Sequence, residues 1–61
     1  MKIKYFAVSG NGLYLCLDSM SHIWYLSCNP VEAFLFSSKK NAELTVDENG
    51  LTGMIVQEYR G

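Results

Sequence analysis

The sequence is poor in charge, in histidine and in cysteine. Of its 61 residues only 18% are Asp, Glu, Lys or Arg, the net charge is −1, and there are one histidine and two cysteines. So few positive charges argue against a nucleic-acid binder that relies on phosphate contacts. No apolar run approaches the eighteen or so residues that a membrane helix needs. The composition therefore predicts a soluble, nearly neutral chain, and it argues against membrane insertion and against a function that depends on phosphate contacts.

Cys16, Cys28 and His22 are the only soft metal ligands in the sequence. A structural zinc site usually takes four such ligands at short spacings, so we expect no metal and no other cofactor. The spacing of the two cysteines permits a disulfide. However, Met1 is not followed by a charged segment, an apolar stretch and a cleavage site. We therefore expect the reducing cytoplasm and two free, buried thiols.

The chain is small and yet rich in apolar side chains. A domain of 61 residues hides only about 60% of the surface that its unfolded chain exposes, so its core has little margin. Hydrophobic residues nevertheless make up 49% of the sequence and aromatic residues 13%. Small domains are commonly supplemented by disulfides, metals or self-association. Because the first two are not expected, the composition predicts an apolar surface patch and a homodimer.

Three β-strands are predicted in the first half of the chain. Residues 2–8 (KIKYFAV) and 13–17 (LYLCL) flank a Gly-Asn-Gly turn, which is a strong hairpin signal. The second strand is apolar on both faces, so we expect it to be central in the sheet or covered on both sides. Residues 22–28 (HIWYLSC) follow a second turn. Trp24 and Tyr25 must point to opposite faces of this third strand.

The second half of the chain predicts one main helix and a last strand. Asn29, Pro30 and Glu32 indicate a short helical turn with Asn29 as its N-cap, and a brief extended apolar segment, residues 34–36, follows. A helix capped by Ser37 or Ser38 then runs to about Glu48. A hairpin over residues 44–52 is the alternative, but the caps and the glycine after the helix favour the helix.

Residues 53–59 (GMIVQEY) close the chain as a fourth strand. The predicted fold class is therefore α+β, with a small antiparallel sheet of about four strands in the order β-β-β-α-β and one main helix packed on one face. The sequence contains no repeats, linkers or low-complexity segments. We therefore expect residues 1–61 to form a single domain.

A spaced set of small and aromatic residues, Ala33, Phe36, Ser38 and Ala42, lies between the third and the last predicted strand. A β-meander followed by such an A-x-x-F-x-S-x-x-x-A-like stretch and a closing strand resembles a common type of short accessory protein encoded by bacteriophages. The likeness spans most of the chain. It implies a packed αβ layer without an active site, a phage origin, and binding to a host protein such as a component of antiviral defence.

The sequence offers little material for catalysis. A nucleophile needs a base within hydrogen-bond reach and a third group that orients it. His22 with Asp18 and one of the cysteines is the only such set, and a surface or hydrogen-bonded histidine is the favoured interpretation. Asp47 and Glu48 are adjacent acids in a turn-like segment, where carboxylates are usually solvated. We therefore expect no enzyme.

These observations predict a small interaction protein, a homodimer that binds and inhibits a host protein. We expect dimerisation through an exposed strand edge or an aromatic face of the sheet, because the second and third strands are apolar on both faces. Tyrosine and tryptophan are frequent interface anchors, and the candidate interface residues are Tyr14, Trp24, Tyr25 and Phe34. The alternative is a nucleic-acid or nucleotide-binding module that uses Lys39, Lys40 and surface tyrosines.

Overall fold

Residues 3–60, which the computed structural model describes, form one antiparallel four-stranded sheet in the order β3-β2-β1-β4 and one α-helix. The elements are β1 (Lys4–Ser9), β2 (Tyr14–Leu17), β3 (Trp24–Ser27), a 3-10 turn (Pro30–Glu32), α1 (Lys39–Glu48) and β4 (Met54–Tyr59). The predicted α+β class and the order β-β-β-α-β are confirmed. The first predicted residue of β1, Lys2, lies outside the described residues.

The β1–β2 hairpin turns through Gly10, Asn11 and Gly12. The Ser9 N–H donates to the Leu13 carbonyl at 2.8 Å, and the Gly12 N–H donates to the Ser9 carbonyl at 3.0 Å. Gly12 has φ +80°, which glycine adopts without a steric penalty. A three-residue loop that ends in a left-handed residue is a common hairpin connection, so the Gly-Asn-Gly signal was sufficient to place the turn.

Beyond this turn, β1 and β2 separate and a third segment enters between them. Their register pairs Val8 with Tyr14. Further from the turn, residues 34–36 lie between β1 and β2 and bond to both strands. We call these residues the wedge segment. Phe36 and Tyr5 exchange two main-chain hydrogen bonds of 2.7 and 2.9 Å, and the Phe34 N–H donates to the Leu15 carbonyl at 3.0 Å. The predicted extended apolar segment is therefore part of the sheet layer.

The helix α1 begins and ends where the local signals predicted. The Ser38 side chain accepts from the Asn41 N–H at 3.0 Å, which satisfies one of the free amides of the first turn. The helix ends at Glu48, and Gly50 follows with φ +64°. The alternative hairpin over residues 44–52 is therefore wrong. The structure contradicts it because the residues that would have formed its first strand are helical.

The turn between β2 and β3 is longer than predicted. β3 begins at Trp24 and not at His22. His22 lies in the turn with φ +59°, and its N–H donates to the Asp18 carbonyl at 2.8 Å. A residue in a left-handed conformation cannot continue a strand, and this shortens β3 to four residues.

The 3-10 turn is capped by Asn29 as predicted, since the Asn29 side chain accepts from the Val31 N–H at 3.1 Å. The spacing of Asn29 and Glu32 also predicts that the Glu32 carboxylate accepts from the Asn29 main-chain N–H, and this prediction is wrong. That N–H donates instead to the Ser27 hydroxyl at 3.1 Å, while the Asn29 side-chain amide donates to the Glu32 carboxylate at 3.5 Å. The other oxygen of this carboxylate accepts from the Tyr25 hydroxyl at 3.3 Å.

The core lies on the side of the sheet that α1 covers. α1 packs on β1 and β4, and the buried core side chains are Ala7, Leu15, Phe36, Ala42 and Val46. Beside the helix, over β3, the rings of Trp24, Phe34 and Phe36 form an aromatic cluster with centroids 4.8 to 5.7 Å apart. At ten residues, α1 is too short to cross a bilayer, and residues 3–60 contain no longer helix.

Candidate protein-binding face

The opposite side of the sheet, here called the helix-free face, is set by strand alternation. Ala7 and Leu15 point to the core, so their strand neighbours point away from it. The pairings of β1 with β4 and of β2 with β3 extend this assignment across the sheet. The strand residues of the helix-free face are Lys4, Phe6, Val8, Tyr14, Cys16, Tyr25, Ser27, Ile55, Gln57 and Tyr59.

A half-open apolar groove of about 360 Å³ lies on this face. Its walls are Phe6, Tyr14, Pro30, Val31, Ala33, Leu35 and Tyr59. The separation of β1 from β2 explains why a groove forms, since the wedge segment fills the gap and brings Leu35 to the helix-free face. The rings of Phe6 and Tyr14 meet at 5.8 Å between centroids and support one side. The groove therefore combines three strands, β1, β2 and β4, with the wedge segment and the 3-10 turn.

The 3-10 turn covers part of the same face over β2. Cys16 is fully buried although it points away from α1, so β2 is covered on both sides, as predicted. Burial raises the pKa of the Cys16 thiol, and the nearby charge of Glu32 raises it further. Loss of solvent also raises the pKa of the Tyr25 hydroxyl, again with a contribution from Glu32. Both groups are therefore held in their neutral forms.

Away from this turn, large apolar side chains of the helix-free face remain in water. Ile55 is 55% exposed and Tyr59 is 43% exposed. Val31 and Leu35 are also exposed, and both line the groove. Single exposed apolar residues are ordinary on protein surfaces, but a contiguous group around a concavity is typical of binding sites.

The structure divides the four predicted interface residues between two sides of the sheet. Tyr14 and Tyr25 lie on the helix-free face, and Tyr14 lines the groove. Trp24 and Phe34 lie on the other side, where they pack against Phe36 in the aromatic cluster. The prediction therefore combined two separate surfaces, because the alternation of one strand does not say which face is the core.

Several groove residues were not predicted from the sequence: Phe6, Val31, Leu35 and Tyr59. They come from four elements, β1, the 3-10 turn, the wedge segment and β4, and only the pairing of these elements brings them together. Tyr59 lies beside Phe6 because β4 returns to pair with β1. A usable signal was the alternation of Ile55, Gln57 and Tyr59, which places two large apolar residues on one face of the last strand.

The residues considered for catalysis do not form a site in the described part of the chain. Within residues 3–60, no three His, Cys, Asp or Glu side chains come together to hold a metal ion. Both cysteines are free, and Cys28 is exposed, which corrects the prediction that both thiols are buried. The Met20 N–H donates to the Asp18 carboxylate at 3.0 Å, and this bond is the main cause of the lowered pKa of Asp18. Asp18 thus stabilises its own turn.

The lysines of the nucleic-acid alternative are not on the face that carries most of the tyrosines. Lys39 and Lys40 lie in the first turn of α1, whereas Tyr14, Tyr25 and Tyr59 belong to the helix-free face. A nucleic-acid platform needs a continuous positive groove beside its aromatic residues. This placement does not favour the alternative function.

No family model, curated protein or solved structure matches this chain.

Proposed function

We propose that this chain is a non-catalytic interaction protein that binds a partner protein through the groove of the helix-free face. The observation that carries the proposal is the groove itself, a concavity of about 360 Å³ whose seven wall residues are all apolar or aromatic. Apolar concavities with a few polar groups nearby are the usual form of a binding site. The tyrosines Tyr14 and Tyr59 supply rigid, amphipathic walls of the kind that is enriched at protein interfaces.

The chemistry of the groove selects the kind of partner. Its walls carry no charged residue, so a buried charge of the partner would lose its hydration without gaining an ion pair. An aliphatic or aromatic side chain of the partner would release water from both surfaces. The expected partner therefore presents a projecting apolar side chain, with polar contacts at the edge to Lys4, Gln57 and Glu32.

The nature of the partner rests on the resemblance to short phage accessory proteins. That resemblance makes a protein of the bacterial host the expected target, and inhibition of a defence component the expected outcome. The site of action would then be the host cytoplasm. Self-association belongs to the same proposal, since a homodimer would cover apolar side chains that one copy leaves in water.

The groove can be tested with a matched pair of leucine substitutions in the tagged full-length chain. Leu35 is a groove wall and is 38% exposed, whereas Leu44 is 47% exposed and lies on α1, outside the groove. Leu35→Asp should abolish the capture of a specific host protein, as quantified by mass spectrometry, and Leu44→Asp should not. The affinity of the purified partner for each variant then provides the direct measurement.

Two controls make the result interpretable. Both variants must keep the far-UV circular dichroism of the wild-type chain, because a change there would reflect unfolding. If Leu35→Asp and Leu44→Asp retain the same proteins with the same affinity, the groove is not the binding site and the proposal fails.

A further inference from the structure

Among residues 3–60, no segment pairs with the outer edge of β4. The hydrogen bonds of β1 show which main-chain groups of β4 point out from this edge. Tyr5 uses both its N–H and its carbonyl on Phe36, on the side away from β4. Tyr5 and Glu58 are therefore a non-hydrogen-bonded pair in the β1–β4 ladder. By alternation, Ile55, Gln57 and Tyr59 bond to β1. The N–H and carbonyl groups of Met54, Val56 and Glu58 then point outward from the edge.

This edge lacks the features that commonly prevent strand pairing between molecules. Proteins protect edge strands by making them short or by adding proline, lysine or a bulge. β4 has six residues (MIVQEY) with no proline and no lysine, and its register against β1 is continuous. Its one charge, on Glu58, is paired with Arg60 at 3.2 Å. β3, at the other edge, is four residues long and is protected by its shortness.

We propose that β4 pairs antiparallel with β4 of a second copy of this chain, with Gln57 opposite Gln57 of that copy. A closed dimer of this kind has a twofold axis that runs perpendicular to the sheet. Because of this axis, the helix-free faces of the two copies lie on the same side of the combined sheet. Opposed residues must therefore face the same side, so the axis passes through one residue of β4. The six-residue strand overlaps its copy most when that residue is Val56 or Gln57.

The side chains of β4 select the register centred on Gln57. Centring on Glu58 would place two like charges directly opposite each other, which is destabilising. Centring on Val56 would place Ile55 opposite a polar glutamine. Centring on Gln57 places Ile55 opposite Tyr59 at two symmetric positions, and aliphatic–aromatic cross-strand pairs are stabilising. Ile55 and Tyr59 are both exposed in one copy, and in the dimer each would shield the side of the other that it faces.

The same register satisfies the outward main-chain groups. Val56 of one copy lies opposite Glu58 of the other, and both residues direct their N–H and carbonyl groups outward. They can therefore exchange hydrogen bonds at two symmetric positions. The dimer forms one continuous eight-stranded sheet. Because Tyr59 lines the groove, the two grooves would lie side by side across the junction.

This inference deepens the self-association part of the proposed function and does not depend on partner binding in the groove. Its test starts with the mass of the full-length chain by sedimentation at micromolar concentration, which should be twice that of one chain. Glu58→Pro removes an outward N–H without removing a bond to β1, and proline is tolerated on such an edge. It should give a folded monomer. The matched control Glu58→Thr removes the same charge, keeps the N–H and should remain a dimer.

A second variant tests the register and does not depend on tolerance of proline. In a Cys28→Ser background, Gln57→Cys should form an intermolecular disulfide on mild oxidation. Opposed residues of a non-hydrogen-bonded pair have Cα atoms about 4.5 Å apart, within disulfide range. Ile55→Cys is the control, because Ile55 lies opposite Tyr59 and away from its own counterpart. It should form little crosslinked dimer.

The outcomes separate this inference from the proposed function. A wild-type chain that stays monomeric, or a dimer that Glu58→Pro leaves intact, overturns pairing through β4. Equal crosslinking of Gln57→Cys and Ile55→Cys, or of neither, overturns the register. A dimer in which Leu35→Asp still binds the partner leaves the inference standing and removes the groove proposal. A wild-type monomer that binds its partner through the groove overturns pairing through β4 and leaves the groove proposal standing.

Discussion

The two faces of the sheet contain similar side chains but differ in what covers them. On one face, α1 and the aromatic cluster cover both halves of the sheet and bury Ala7 and Leu15 fully or nearly so. On the helix-free face, the 3-10 turn covers Cys16, while Ile55 and Tyr59 remain in water. On the covered face only the edge strand β3 leaves a large apolar side chain in water, Leu26 at 42% exposure. A chain of 61 residues thus has enough material to cover most of one face of its sheet and part of the other.

The largest expected difference between the faces lies within the wedge segment. Phe36 is 5% exposed on the covered face, and its neighbour Leu35 points to the helix-free face. Phe36→Ala should cost about 3–5 kcal/mol of unfolding free energy, because it leaves a cavity among packed rings. Leu35→Ala should cost about 1 kcal/mol, since much of this side chain is already in water.

Urea unfolding followed by circular dichroism measures this difference. Every variant must be compared at one protein concentration, because self-association would add to the apparent stability. A loss of stability in Leu35→Ala as large as that in Phe36→Ala would mean that the helix-free face is a second core and not a binding surface.

A smaller loss of unfolding free energy is expected at the start of α1, the helix that covers one face of the sheet. Ser38→Ala removes the side chain that accepts from the Asn41 N–H, and loss of such a cap costs about 1 kcal/mol. The exposed neighbour Ser37 provides the control, and Ser37→Ala should change the unfolding free energy by a few tenths of a kcal/mol at most. Equal losses in the two variants would place the cap at the wrong serine.

The smallest effect is an alkaline sensitivity that belongs to the helix-free face. The pKa values of Cys16 and Tyr25 are raised in the folded chain, first by burial and then by Glu32. Their contribution to stability is therefore complete below the ordinary pKa values of about 8.5 and 10. It is lost as the pH rises through the raised values, because the unfolded state releases these protons first.

Glu32→Gln should reduce this alkaline loss of stability, because it removes the charge that disfavours the ionised thiol and phenol. Glu43→Gln removes an acid from α1 and serves as the control. Urea midpoints measured from neutral to alkaline pH, under reducing conditions, compare the two. If both variants follow the wild-type profile, Glu32 does not influence these two groups.

Much of the fold could be predicted from local signals. The Gly-Asn-Gly turn, the Asn29 cap and the Ser38 cap are encoded by a few adjacent residues, and the structure confirms each of them. The strand boundaries at His22 were wrong because a left-handed turn residue cannot be distinguished from a strand residue by polarity alone.

The candidate site was harder to predict than the fold. Trp24 and Tyr25 were correctly assigned to opposite faces, but the pattern of one strand did not show which face α1 would cover. The groove depends on the entry of the wedge segment between β1 and β2, and that event joins Leu35 to residues far away in the sequence. Only pairing between distant segments produces it.

The amino-acid sequence by itself determined the helix, the turn between β1 and β2, the order of the elements along the chain and the excess of apolar side chains over the available core. The tertiary structure decided which of these side chains were buried, where the groove opened and which strand edge was left bare. The physical reason is the separation along the chain of the residues that interact. Caps and turns depend on hydrogen bonds between near neighbours, whereas the faces and edges of a sheet exist only after separate segments have packed.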